Sequence, residues 1–412
     1  MTYKILFAAS AALSLAACGQ PGDQSATTDS PDFAAKAQSI ALSSIIVDTH
    51  VDVPYRLLGK PDDISQRTSD GDFDYPRAVS GGLNAPFMSI YTPAAAEAEG
   101  RSKVIADGLI DMVEGFVKQW PDKFAIATSP AEVREQFAAG LMSLPMGMEN
   151  GSPIEGDLDN LRYFYDRGVR YVTLTHSLTN HISDSSYDEN HKWNGLSEFG
   201  VEVVREMNRL GIMIDISHVS DDAFWQVIEL SAAPVIASHS SARHFTPGFE
   251  RNISDEMIVA LAEKGGVVQI NFGSTFITKA GQEYGSAQTK AGKLYMAAHP
   301  EMSETDMYRV YPAIYAAEYG PLPYATLEDV LDHFDHVIAL TSVDHVGIGS
   351  DFDGVGDSLP VGLKDVASYP NLIKGLLERG YSETDIAKIL GENILRVWQA
   401  IEDYAATTSS TI

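Results

Sequence analysis

A histidine and a carboxylate stand two residues apart after an apolar run in "IIVDTHVDVPYRLL", at His50 and Asp52. Side chains at i and i+2 of a strand share one face. The pair therefore reads either as two ligands of one ion or as a polar strand end meeting solvent. Other residues fit for metal or acid–base chemistry close similar runs: Glu149 in "SLPMGME", His176 in "YVTLTHS", His218 in "IMIDISH", His239 in "PVIASHS" and Asp351 in "HVGIGSD". Each alone is ordinary, because a histidine after a strand is commonly a satisfied hydrogen-bonding group. Together, at one kind of position, they describe a site.

His50, His218 and His239 with Asp52 and Glu149 make a donor set without thiolate. That set suits Zn²⁺, and also Mn²⁺, Co²⁺ or Fe²⁺. Five ligands exceed the needs of a single open catalytic ion but match two ions sharing a carboxylate. Glu149 can offer two oxygens and lies in sequence between the two pairs, so it is the candidate bridge. Such a centre holds its ions about 3.5–4 Å apart and lowers the pKa of a bridging water towards 7, giving a nucleophile for carbonyl or phosphoryl centres. The remaining His176 and Asp351 are then expected to stabilise the oxyanion and move the proton.

The elements that must position these residues are short apolar runs separated by helical stretches. The runs span 44–50, 86–91, 143–149, 171–177, 212–218, 234–240, 267–272 and 345–351. Between them lie amphipathic segments such as "SEFGVEVVREMNRLG", with Ser197 as N-cap, Val201, Val204 and Met207 at helical spacing, and Gly211 as the stop. Near-continuously apolar strands alternating with helices predict a parallel sheet covered on its outer face. Eight such units predict an α/β fold, a (β/α)8 TIM-type barrel with insertions. A doubly wound open sheet is the alternative, but the first strand is not followed by a glycine-rich phosphate loop. In a barrel all C-terminal strand ends meet on one face, where active sites are built. That convergence favours the ligand reading of His50 and Asp52.

Composition narrows the partners. The chain carries 29 basic and 57 acidic residues, a net charge of −28, which argues against nucleic acid and anionic membrane surfaces as partners. The N-terminus, "MTYKILFAASAALSLAACGQPG", has one early lysine and an apolar stretch from Ile5 to Ala17 that is too short to span a bilayer as a stable helix. Residues 1–17 read as a signal peptide. Leu15-Ala16-Ala17-Cys18 resembles a bacterial lipobox, with Cys18 as the acylated residue. Cys18 is the only cysteine of the chain, which fits a lipid anchor better than a redox role. A lipid-anchored protein of the bacterial cell envelope follows, on the periplasmic side, with Gly19 leaning towards the outer membrane. Residues 18–39 read as a flexible tether, with folded chain beginning near Ala34. Residues 40–402 form one domain and 403–412 a disordered tail.

Over residues 40–402 the chain resembles the membrane (renal) dipeptidases, zinc enzymes on an amidohydrolase-like barrel. The resemblance rests on "DTHVDVP", "GGLNAPFMSIYTP", "GMENG", "GVRYVTLTHS", "IDISHVS", "PVIASHSSARHF", "RNISDEM" and "VGIGSDFDGV", in that order, and on the C-terminal "YPNLIKGLLERGYSETDIAKILGENILRV". It implies two Zn²⁺ per subunit: His50 and Asp52 on one, Glu149 as the bridge, His218 and His239 on the other. It implies that His176 polarises the scissile carbonyl and that Asp351 passes the proton to the leaving amine. It implies that Arg251 of "RNISD" clamps the substrate's C-terminal carboxylate through two parallel hydrogen bonds, with Asn252 assisting nearby. The substrates are dipeptides, including ones with a C-terminal D-residue, and the assembly is a homodimer. The mammalian relatives carry disulfides that a chain with one cysteine cannot form within itself. The long segment around 273–325, with Gly273 where relatives tend to have a larger residue, is expected beside the active site. His181, His191, His244 and His345 read as peripheral. Two other functions fit the same residues: an amidohydrolase opening a lactone, phosphoester or cyclic amide, and a non-catalytic metal- or peptide-binding lipoprotein.

Overall fold

The computed structural model describes residues 32–302 and 304–409. Cys18, the signal peptide and most of the proposed tether lie outside them. The folded chain begins with a helix at Phe33–Ser43, near the expected start at Ala34 and overlapping the last residues read as tether; its Ala37, Ile40 and Ala41 are buried.

Among the described residues ten strands follow: β1 (Ile46–Val51), β2 (Leu83–Tyr91), β3 (Phe124–Ile126), β4 (Met142–Leu144), β5 (Met146–Glu149), β6 (Val169–Thr173), β7 (Met213–Asp215), β8 (Val235–Ala237), β9 (Val267–Ile270) and β10 (Val346–Ile348). Eight of them close a parallel barrel in the order β1-β10-β9-β8-β7-β6-β5-β2. This is the (β/α)8 arrangement expected from the apolar runs. The run at 143–149 is in fact two strands. Pro145 lacks a backbone N–H, and it divides β4, which pairs with β3 in a separate parallel ribbon, from β5 in the barrel.

The floor of the barrel is packed by the final helix, Asn393–Ser409. Trp398 meets Phe87 with ring centroids 5.4 Å apart and shares a buried cluster with Val47, Tyr171, Met213, Ile236 and Val267. That helix runs through residues 403–409, where the sequence reads as a tail; Ile401 and Ala405 are buried on its inner side. Above the floor the interior turns polar. Asp215 of β7 accepts hydrogen bonds from Thr173 Oγ1 (2.5 Å), Ser238 Oγ (2.6 Å) and the backbone N–H groups of Ser217 (3.0 Å) and Ser238 (2.8 Å).

β1 carries an irregularity that matters for the site. Asp48 pairs with Pro86 and Val51 with Met88, so β1 uses one more residue than β2 over the same stretch. Such a bulge breaks strict alternation of faces. Thr49 and His50 consequently both turn into the barrel: Thr49 Oγ1 donates to Ser238 O at 2.5 Å, and the His50 ring reaches Tyr171.

Beyond β9 the chain makes helices at Ser274–Ile277, Lys279–Ala298 and Glu304–Tyr319. The longer two have a small cluster of their own, in which Tyr311 and Tyr315 pack with Tyr284, Tyr295 and Met302.

Candidate active site and metal centre

Glu149, the last residue of β5, is the hub. Its Oε1 lies 3.1 Å from His218 Nε2 and 3.4 Å from both His176 Nε2 and His239 Nε2. Its Oε2 lies 3.4 Å from His50 Nε2 and accepts from Ser89 Oγ at 3.4 Å. Burial opposes ionisation of this carboxyl, but the histidines around it prevail and hold it well below the usual carboxylate range. His239 touches both halves of the cluster: its ring stacks on His50 at 3.8 Å, and its Nε2 stands 2.9 Å from His218 Nε2. His50, Asp52 and Asp351 close the third side, with one ligand-capable atom of each within 4.8 Å of the others.

The strand-end placement is looser than the sequence suggests. Glu149 closes its strand, but His176, His218, His239 and Asp351 each sit two or three residues past theirs. Those loops bend sharply. His218 (φ +70°) and Asp351 (φ +65°) occupy the left-handed region, as do Asn150 beside Glu149 and Asp353 beside Asp351. For non-glycine residues this costs on the order of 1–3 kcal/mol each and clusters at functional sites.

Proton counting shows which ring nitrogens face inward. Tyr171 OH donates to Thr49 O at 3.0 Å, so at 2.8 Å it must accept the proton of His50 Nδ1. Ser238 Oγ donates to the Asp215 carboxylate and therefore accepts from His239 Nδ1 at 2.7 Å. Both rings thus point Nε2 into the cluster, the tautomer a metal ligand needs. Arg251 Nη2, which can only donate, lies 3.0 Å from His218 Nε2, so that atom presents a lone pair as well.

These residues fit a cation. His218 Nε2 and His239 Nε2 bring two lone pairs to 2.9 Å. His50 Nε2 and Asp52 Oδ1 are buried without a hydrogen-bond partner among the described residues. Burial keeps His218 and His239 well below the usual histidine range, and therefore neutral, with Arg251 reinforcing the effect on His218 and His50 on His239. His50 behaves oppositely: burial opposes its charge, but Tyr171, Asp52 and Glu149 push it well above that range.

Asp351 Oδ2 accepts from Asn271 Nδ2 at 2.8 Å. Burial, reinforced by Asp52 and Glu149 against the pull of His50, pushes its carboxyl up to about 8; bound cations would draw it back down. His176 is depressed by burial and by Arg251, leaving a neutral ring whose edge meets Tyr91 at 4.8 Å. Arg251 is itself buried, donating to Ser240 Oγ and His239 O, both at 2.8 Å. All eight residues predicted for the site inside the barrel domain therefore meet. Asn252 instead ties its own loop, donating to Thr246 Oγ1 and Phe276 O at 2.7 Å each. The insertion borders the site through Phe276, whose ring lies 5.3 Å from the Arg251 guanidinium. His181 pairs with Glu97 and His345 with Gly266 O, away from the cluster.

Sequence reasoning passes over Asn271, although it follows β9 at the same kind of position as the others. It also passes over Tyr171, Asp215 and Ser238, polar residues set within or just after apolar strands, which is their only sequence signal.

Residues 34–411 match the family model for membrane dipeptidases, peptidase family M19. An uncharacterized dipeptidase of Schizosaccharomyces pombe is 32% identical over 384 residues, covering 89% of this chain and 83% of that protein. Among solved structures, the probable dipeptidase PvdM from Pseudomonas aeruginosa superposes with a TM-score of 0.78 at 27% identity, over 90% of this chain and 99% of that one. A metallopeptidase from Rhodobacter sphaeroides, liganded with a phosphinate mimic of the dipeptide L-Ala-D-Ala, superposes with a TM-score of 0.71 at 27% identity, over 87% of this chain and 99% of that one.

Proposed function

The chain belongs to the membrane dipeptidase family, and on that premise we propose that it is a dinuclear zinc dipeptidase of broad specificity, accepting dipeptides that end in a D-residue. The observation that carries this reading is the single carboxylate of Glu149 within 3.1–3.4 Å of Nε2 of four histidines. His50 and Asp52 would hold one Zn²⁺, His218 and His239 the other, and Glu149 both. When bound, such a pair supplies Lewis acidity and a water acidic enough to attack near neutral pH.

The protein's own groups account for the rest. Arg251 binds the substrate's terminal carboxylate, which limits substrates to those ending one residue beyond the cut. His176, neutral and at the rim, donates a hydrogen bond to the carbonyl oxygen as charge develops there. Asp351, oriented by Asn271, takes the proton from the attacking water and gives it to the leaving amine. Acceptance of a C-terminal D-residue is supported by the dipeptide mimic bound to the Rhodobacter sphaeroides relative.

The test is a dipeptide library with L- and D-residues at the second position, offered to the zinc-loaded protein. Cleavage of a broad set is expected. Failure to cleave any member overturns the reading in favour of a lactone, phosphoester or cyclic amide. We further propose that Cys18 is acylated and anchors the enzyme to the cell envelope. Detergent-phase partition of the full chain, lost in Cys18→Ser, tests that anchor.

A further inference from the structure

Outside the barrel mouth, one more group of side chains among the described residues has the donors of a metal site. His244, Asp255 and His336 each offer a ligand atom within 4.8 Å of the other two. His336 Nε2 lies 2.8 Å from Asp255 Oδ1, and the His244 and His336 rings stack at 4.3 Å. Three separate elements supply them. His244 comes from the short turn Arg243–Phe245, Asp255 from the start of the helix Asp255–Glu263, and His336 from the middle of the helix Leu327–Leu340. The rings are held from behind: Phe245 meets His336 edge-on at 5.6 Å and lies 4.3 Å from the ring of buried His333. His244 is exposed and the other two are half-buried, so an ion can enter from solvent and keep a water ligand.

Two imidazoles and one carboxylate suit zinc and its borderline neighbours. They do not suit Mg²⁺ or Ca²⁺, which want oxygen ligands. We propose that His244, Asp255 and His336 form a peripheral site for a borderline divalent cation such as Zn²⁺. The site fastens the loop between Ser240 and Ser254 to two outer helices. That loop begins directly after His239 and carries Arg251. It is already stitched near its base, where Arg243 N–H donates to Ile253 O at 2.8 Å and the Arg243 guanidinium pairs with Asp221. The cation would add a tie at its outer edge. Binding replaces the contact between His336 Nε2 and Asp255 Oδ1 with bonds from both to the ion.

Zinc-loaded wild type, His244→Ala and His336→Ala are dialysed against one buffer of fixed micromolar free Zn²⁺, and metal per chain is counted by mass spectrometry. One equivalent fewer in each variant is expected. Equal metal content in all three overturns the site. The comparison is a difference, so it holds however many ions the barrel mouth takes, and exposed His244 can be truncated without opening a core cavity. The loop consequence rests on the dipeptidase reading: each variant should show a severalfold higher KM for a dipeptide with kcat retained. Loss of the equivalent with KM unchanged would support the ion site but refute the fastening.

Discussion

The Ser238 hydroxyl lies 2.7 Å from Nδ1 of its neighbour His239 and 2.6 Å from the Asp215 carboxylate. Asp215, which is not among the candidate ligands, thereby fixes which nitrogen His239 presents. Groups of this kind typically change metal affinity 10- to 100-fold. Asp215→Asn and Ser238→Ala should retain the far-ultraviolet spectrum of the wild type yet surrender zinc to a chelator at correspondingly lower chelator concentration. Tyr171→Phe should do the same through His50.

Gly354 approaches the site from the other side. A β-carbon there would stand 2.2 Å from both Asp351 Oδ1 and Asp52 Oδ2. Gly354→Ala must therefore displace one carboxylate or both. Misplacement of a reacting group by about 1 Å can cost on the order of 10²-fold in rate. The expected outcome is a fall in kcat of that order with a melting temperature close to wild type.

Arg251 separates a dipeptidase from a general amidohydrolase. A hydrogen-bonded charge pair contributes about 1.5–3 kcal/mol, so Arg251→Ala should lower kcat/KM for dipeptides roughly 10- to 150-fold. Turnover of a neutral ester should fall much less. Arg251→Lys should not restore dipeptide turnover, because an ammonium cannot make the two parallel bonds. Equal losses on both substrates would remove the clamp.

His333 predicts a pH dependence of stability unconnected with catalysis. It is buried, accepts from Ala242 N–H at 3.1 Å and donates to Ile277 O at 2.9 Å, so both nitrogens are committed in the neutral ring. Burial is the main cause of a pKa lowered to about 4. The unfolded chain binds this proton from about pH 6.5 downward, so stability is fully present above that pH and falls as pH drops towards 4. The loss is at most on the order of 3 kcal/mol. Replacement by glutamine, which can keep both hydrogen bonds without titrating, should shrink the difference in melting temperature between about pH 7.5 and about pH 5.

The barrel was legible because buried parallel strands must be apolar, and each of the eight barrel strands overlaps a predicted run. What escaped was set by single residues or by register. Pro145 divides one run between two sheets, and the bulge in β1 lets Thr49 and His50 both face inward. His50, Asp52, Glu149, His176, His218, His239 and Asp351 could be read because metal and acid–base donors at strand ends converge in this fold. Asn271, Ser238 and Asp215 could not, since a polar residue on a strand gains its role from the face it takes and the neighbour it meets. The peripheral histidine His244 acquires a meaning only when folding brings His336 against it.

The central claim is that Glu149 joins two cations held by His50, Asp52, His218 and His239. Anomalous diffraction from zinc-loaded crystals, measured on both sides of the zinc absorption edge, tests it directly. The account predicts two peaks about 3.5–4 Å apart, one on each side of the Glu149 carboxylate. A single peak, or two peaks that do not share Glu149, would contradict it.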